Sequence, residues 1–223
     1  HTDNWYGDVV RKQIDVESGQ IVSGGTWSAK DQLDATSWED REIISYDGST
    51  GVAFAYDGEG NSDVSLSETL VNYLRGDSSN NTANGGSYRV RNGKLGDIVH
   101  SAPYYHDGVI YAGANDGMLH AFDADTGDEL FAYVPKIIVD RGQLPELAST
   151  EYSHQFYVDN TPYVERAGSE TLLVGGLRNG GKGYFCLDVT NTGSVTESTA
   201  ADVVKWEYNA DGDDDLGYSY SPA

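Results

Sequence analysis

Hydrophobic and polar positions alternate in short runs along almost the whole chain. Between residues 95 and 135, four apolar-rich runs (102–106, 109–114, 118–124 and 129–134) are separated by Asp107-Gly108, Asn115-Asp116-Gly117 and the polar stretch 123–128. Runs of this length bounded by Asn, Asp and Gly predict four antiparallel strands joined by tight turns. The pattern returns at 163–167, 171–177, 183–189 and 203–208, where the middle pair turns on Arg178-Asn179-Gly180-Gly181. Toward the N-terminus, strands are predicted near 8–16 and 20–26, followed by a hairpin of 41–46 and 51–56 around Asp47-Gly48-Ser49-Thr50. Trp27 and Trp38 flank a polar stretch, 28–36, that reads as a short helix.

The units echo one another. Phe122-Asp123-Ala124-Asp125-Thr126-Gly127 recurs as Leu187-Asp188-Val189-Thr190-Asn191-Thr192-Gly193 and, earlier, as Ile14-Asp15-Val16-Glu17-Ser18-Gly19. Each copy closes a strand, so the Asp reads as a turn-former that accepts local N–H groups and the Gly as the residue at positive φ. Leu216-Gly217 to Ser221-Pro222 resembles the opening Leu95-Gly96 to Ser101-Ala102-Pro103. A single four-stranded unit cannot bury both its faces, and a repeat of about 40 residues per unit is the size of a propeller blade. The expected fold is therefore all-β, a propeller of four-stranded antiparallel blades, with blade segments at about 5–57, 95–135 and 154–209 and another beginning at 215–223. Residues 58–94 interrupt it as an insertion: Leu66, Leu70, Tyr73 and Leu74 form a helical stripe, and 78–87 reads as a flexible loop. A helical turn is expected at 144–149.

Composition narrows the classes of function. With 36 acidic and 14 basic residues the net charge is −22, which repels phosphate and argues against nucleic acid as a partner. No run approaches the ~18 apolar residues of a transmembrane helix. The lone Cys186 lies in an apolar run and reads as a buried, inert thiol. The start at His1, without an initiator Met, suggests a piece of a longer polypeptide.

Candidate chemistry is sparse. Asp57, Glu59, Asn61 and Asp63 alternate and Glu68 follows, placing oxygen ligands at the first, third, fifth, seventh and twelfth positions of an EF-hand-like calcium loop. Against it, Ser62 stands where the sharp turn wants Gly and no helix enters the loop. Asp211, Asp213, Asp214 and Asp215 form a second acidic cluster, read as a solvated turn. Arg75-Gly76-Asp77 spells an integrin-recognition tripeptide. His100, His120 and His154 lack metal-ligand spacing and read as hydrogen-bonded structural histidines.

Longer motifs carry a resemblance. Asn72-Tyr73-Leu74-Arg75-Gly76-Asp77, Tyr88-Arg89-Val90-Arg91, Leu95-Gly96-Asp97-Ile98-Val99-His100-Ser101-Ala102-Pro103, Ala112 to Asp123, Tyr152-Ser153-His154, Tyr157-Val158-Asp159 and Val174-Gly175-Gly176-Leu177 together resemble the C-terminal propeller of the PilC/PilY family, the type IV pilus tip-associated adhesins and biogenesis factors. The resemblance implies an extracellular propeller of about seven blades at the cell surface or pilus tip. It further implies a non-enzymatic role in pilus assembly, extension and adhesion, with minor pilins and a host-cell or abiotic surface as partners. Calcium control is a family theme, but the family's calcium loop lies beyond these residues. On this reading Arg75-Gly76-Asp77 belongs to the family signature, with Arg75 paired to a carboxylate or to backbone carbonyls at the helix end. Two alternatives stand beside it. Ala121, Asp123, Thr126, Gly127 and Phe131 also resemble the docking phrase of pyrroloquinoline-quinone (PQQ) dehydrogenase propellers, and a purely structural scaffold would have the same blades. A rigid platform with specific contacts on the insertions 57–87 and 136–152 is the expected division of labour.

Overall fold

A computed structural model describes residues 6–56, 64–210 and 215–220. Among the described residues twelve strands fall into three sheets. β1 (Val10–Ile14) and β2 (Ile21–Ser28) form an antiparallel ribbon. β3 (Ile43–Tyr46) and β4 (Gly51–Ala53) form a hairpin that joins the meander of β5 (Tyr104–His106), β6 (Val109–Gly113), β7 (Leu119–Asp123) and β8 (Glu129–Tyr133). The result is a six-stranded sheet of order β4-β3-β8-β7-β6-β5. β9 (Tyr163–Ala167), β10 (Glu170–Gly176), β11 (Gly183–Asp188) and β12 (Val204–Asn209) make a four-stranded antiparallel meander.

The strands of the first 57 residues are thus divided between two sheets. The reason is the free edge of β8, to which β3 pairs in parallel: Ala132 N donates to Glu42 O and Val134 N to Ile44 O, both at 2.9 Å. Ser45 Oγ ties the same edge by donating to Val134 O. Parallel pairing needs no turn between the partners, so local sequence does not announce it.

Among the described residues there are also four α-helices. α1 (Ala29–Ala35) starts at Ser28, whose side chain accepts from Asp31 N, and ends where Lys94 Nζ donates to the carbonyls of Leu33, Asp34 and Thr36. A cation on the last carbonyls satisfies acceptors left over at a helix C-terminus. α2 (Glu68–Arg75) buries Leu70, Tyr73 and Leu74 of the predicted stripe together with Val71, leaves Leu66 before its N-terminus, and stops at Gly76 with φ 130°. α3 (Lys136–Asp140) follows β8. Its Lys-Ile-Ile-Val-Asp sequence carries no helix signal, and the cap comes from across the core, where the Glu207 carboxylate of β12 accepts from Lys136 N, Ile137 N and the Tyr133 hydroxyl. Burial pushes that carboxyl up to about 7 in spite of these donors. α4 (Ala200–Val203) leads directly into β12.

Two apolar clusters hold the sheets. The larger lies between the six-stranded and four-stranded sheets and joins Ile43, Ile44, Tyr111, Leu119, Phe131 and Tyr133 to Tyr157, Leu173, Phe185 and Leu187. The smaller covers the opposite face of β6 and β7, where Ala112 and Phe122 meet Val9, Trp27, Leu33 and Leu95. Successive β7 residues serve different clusters, Ala121 the first and Phe122 the second, as strand alternation requires.

The repeated turn phrase has the expected mechanism in two copies. Asp15 Oδ1 accepts from Glu17 N and Ser18 N with Gly19 at φ 69°, and Asp123 Oδ1 accepts from Asp125 N and Thr126 N with Gly127 at φ 81°. In the third copy Asp188 Oδ1 accepts from Thr190 N, but one extra residue puts Gly193 into a 3-10 turn without positive φ. Asp47 is a further turn of this kind, accepting from Ser49 N and Thr50 N. The Asn-Gly signal at 178–181 does not give the two-residue turn it suggests. A 3-10 turn, Arg178–Gly180, forms with Arg178 at φ 49°, and Gly180 sits where a Cβ would lie 1.5 Å from Tyr157 O. Residues 78–87 also differ from the expected free loop: Asn81 is buried, Asn84 N and Gly86 N donate to its carbonyl, and Thr82 N and Tyr88 O close the loop.

Candidate functional site

Arg75 is 4% exposed at the end of α2. Its Nη1 donates to Phe54 O at 2.8 Å and to the Glu197 carboxylate, and its Nη2 donates to Arg41 O at 2.7 Å. Arg41, equally buried, returns the bond by donating to Arg75 O, and its Nε and Nη2 grip both oxygens of Glu129 at 2.7 and 2.9 Å. Glu129 also meets His120 Nδ1 at 2.7 Å, and His120 Nε2 faces Asp116 Oδ2 at 3.1 Å. Three cationic and three carboxylate side chains thereby link α2, β7, β8 and the segment before β3.

Burial sets the electrostatics of this network. It disfavours a charged His120, but Asp116 and Glu129 outweigh it and raise the imidazole to about 9. It would likewise raise Glu129, yet Arg41 and His120 hold that carboxyl down at about 2. The two carboxylates thus favour the imidazolium form of His120, and His120 and Arg41 favour the ionised form of Glu129. Gly76 turns the chain away from α2, and Asp77 Oδ1 accepts from Ser79 N at 2.8 Å. Among Arg75, Gly76 and Asp77, the arginine an external receptor would need is committed to the interior.

His100 and His154 are also matched to acids. His100 Nδ1 lies 2.7 Å from Asp159 Oδ2 and His154 Nε2 lies 2.7 Å from Asp97 Oδ2, with Phe156 between the two rings. Among the described residues no group of three or more His, Cys, Asp or Glu side chains could hold a metal ion. Asp57, Glu59, Asn61 and Asp63 lie outside the described residues, as do Asp211, Asp213 and Asp214. Glu68 occupies the first turn of α2.

A cleft of about 260 Å³ opens beside the α2 C-terminus, and Arg89, Arg91 and Lys94 are on its wall. Each cation is held by neutral oxygens: Arg89 Nε donates to Leu147 O, Arg91 Nη2 to Tyr73 O, and Lys94 Nζ to the three carbonyls at the end of α1. The guanidinium carbon of Arg91 lies 4.1 Å from the Tyr73 ring centroid, and that of Arg89 lies 4.2 Å from the Tyr152 ring centroid. The sequence reading did not single out this cleft. Its one local signal is the concentration of Arg89, Arg91 and Lys94 within six positions of a chain that has 14 basic residues in all.

A family model for the PilY1 β-propeller domain matches residues 93–221. A type IV pilus biogenesis factor PilY1 homolog of Xylella fastidiosa is 34% identical over 237 residues, covering 89% of this chain and 19% of the relative. The type IV pilus biogenesis factor PilY1 of Pseudomonas aeruginosa strain PAK is 32% identical over 271 residues, covering 97% of this chain and 22% of the relative. The crystal structure of the P. aeruginosa PilY1 C-terminal domain matches at 38% identity and a TM-score of 0.36, over 51% of this chain and 21% of that chain. The chain spans about a fifth of the length of these curated relatives. The matched family segment contains the cleft residues Gly93 and Lys94, the Asp116–His120–Glu129 constellation and both meanders, and on these matches the chain belongs to the PilY1 β-propeller family.

Proposed function

We propose that this chain is part of an extracellular propeller of about seven blades at the tip of a type IV pilus. It acts in pilus assembly and extension, contacts minor pilins, and contributes to attachment to a host cell or other surface. The observation that carries the reading is where the family-like motifs fall. Tyr73, Arg75, Asp97, Asn115, Asp116 and His120 are spent on hydrogen bonds that join elements, such as Asn115 Oδ1 accepting from Tyr157 N and Nδ2 donating to Asp97. Motifs spent on architecture fit a platform better than a catalyst. Among the described residues no helix is long and apolar enough to cross a membrane, which is compatible with a surface location.

A quinoprotein oxidoreductase has less support. Asp123 and Thr126 close a turn, Gly127 lies against the Trp27 ring, and Trp27 Nε1 donates to Ala124 O, so the docking-like phrase has a packing role already. Cys186 is buried, with its thiol pushed up to about 11 by burial. Calcium at Asp57, Glu59, Asn61, Asp63 and Glu68 belongs to this proposal on spacing alone.

The test is complementation. In a piliated bacterium lacking the gene for the intact protein, restoring the wild type should restore both surface pili and attachment. Restored pili without attachment would favour the scaffold reading, and normal piliation in the deletion strain would sink the proposal.

A further inference from the structure

We propose that the cleft beside α2 binds a single carboxylate group of a peptide partner, with Arg91 as its principal ligand. This goes beyond the pilus-related reading and does not depend on it.

The cations of the cleft differ in how they are compensated. Arg91 is half-buried, and among the described residues no salt bridge reaches it. Its hydrogen bond and its stacked ring both come from Tyr73, which supplies no negative charge. Burial lowers the Arg91 pKa, and the nearby charges of Arg89 and Arg41 push in the same direction, against opposing contributions from Tyr73 and Asp116. A half-buried cation without a salt-bridge partner is costly, and an anion entering the cleft would relieve that cost.

The acids on the cleft wall, Asp34 and Asp77, and those of the small adjoining cavity that Arg91 also lines, Asp97 and Asp116, do not fill the role. Asp34 is bound to Lys30 Nζ at 2.7 Å and to Lys94 N at 2.8 Å. Asp97 faces His154 and Asn115, Asp116 faces His120 and Gly96 N, and Asp77 accepts from Ser79. Each is turned to its own partner. The guanidinium of Arg91 remains the group with unspent charge, and its planar fork suits the two oxygens of a carboxylate.

Size and field select the ligand class. The cleft has room for one or two residues, not for a folded surface. The net charge of −22 repels extended polyanions at long range, whereas one carboxylate on an otherwise neutral peptide pays little for approach. That carboxylate can be a chain terminus or an Asp or Glu side chain.

The experiment is calorimetric titration of the intact protein with three probes: a neutral tripeptide with a free C-terminus, N-acetyl-glutamate amide, and inorganic phosphate. Saturable one-to-one binding of either carboxylate probe, weakened by salt, is expected, and which of the two binds identifies the source. Arg91→Gln should weaken it by about tenfold or more. Ser78→Asp, at an exposed position on the rim, should weaken it several-fold without touching the core, and decides the matter if Arg91→Gln does not fold. Absence of saturable carboxylate binding, unchanged binding in the folded variants, or equal binding of phosphate would each overturn the proposal.

Discussion

The six-stranded and four-stranded sheets share the same meander and differ in what covers them. The six-stranded sheet is buried on both faces, by the four-stranded sheet on one side and by β1, β2 and α1 on the other. Its central strand β7 accordingly carries Leu119, His120, Ala121 and Phe122, all within 1% of full burial. Among the described residues the four-stranded sheet is packed against another sheet on one face. Opposite Leu173, Phe185 and Leu187, its other face carries Tyr163, Val174, Cys186 and Trp206 in register, and Tyr163 and Trp206 are 40% and 41% exposed. The lesson is that one strand pattern yields a core or a surface depending on what packs over it. The doubly covered sheet is also the one that can hold a buried charge network.

The sharpest test of this difference is to break the network on the covered sheet. Arg41→Ala would leave Glu129 buried without its bidentate partner and should cost about 3–5 kcal/mol in urea unfolding. A loss below about 1 kcal/mol would show that water compensates the site. Phe122→Ala, on the covered face, should cost about 3–5 kcal/mol through the cavity beneath Trp27. Trp206→Ala, on the open face, should cost well under half of that in the same measurement. Equal costs would mean that the open face is covered in solution.

The pH dependence separates the two sheets in a different way. His120 is raised to about 9 in the folded state, so its contribution is fully present below its ordinary value of 6.5 and is lost as pH rises through about 9. Glu129, depressed to about 2, contributes above its ordinary value of 4.5 and loses that contribution as pH falls through about 2. Glu207 is raised to about 7, so the stability tied to its neutral form is lost as pH climbs from 4.5 through about 7. His120→Gln should flatten the decline between pH 6.5 and 9 and leave the lower range in place. A profile unchanged by that substitution would remove His120 from the account. The smallest effect is expected at the turns. Asp47→Ala removes an exposed carboxylate that accepts from Ser49 and Thr50, a loss of about 0.5–1.5 kcal/mol in melting experiments.

What the sequence could reveal follows from the range of each interaction. The eight strands of the two meanders lie where alternation and turn residues place them, because both signals are local. α2 is legible from Leu70, Tyr73 and Leu74 for the same reason. α3 is not: Ile137, Ile138 and Val139 suggest a strand, and the helix depends on Glu207, some seventy positions away. The Arg41–Glu129 pair spans 88 positions and Arg75–Glu197 spans 122, so the partners are not legible locally, although a carboxylate or carbonyl partner for Arg75 at the helix end is expected from the family-like motif. The cleft is not legible because its wall joins Asp34, Tyr73 and Arg91, which only the fold brings together; the sequence offers Tyr88-Arg89-Val90-Arg91 as part of a family-like motif.

The parallel joint between β3 and β8 bears on the order in which the molecule can be made. Ser45 and Val134 meet across 89 positions, so the hairpin of β3 and β4 has formed long before its neighbouring edge exists. During synthesis it must wait with an unpaired apolar strand, Ile43 and Ile44, while the whole meander of β5 to β8 emerges. Long-range pairing of this kind slows folding and leaves an interval open to misassociation. The slow step of folding is therefore expected at this joint.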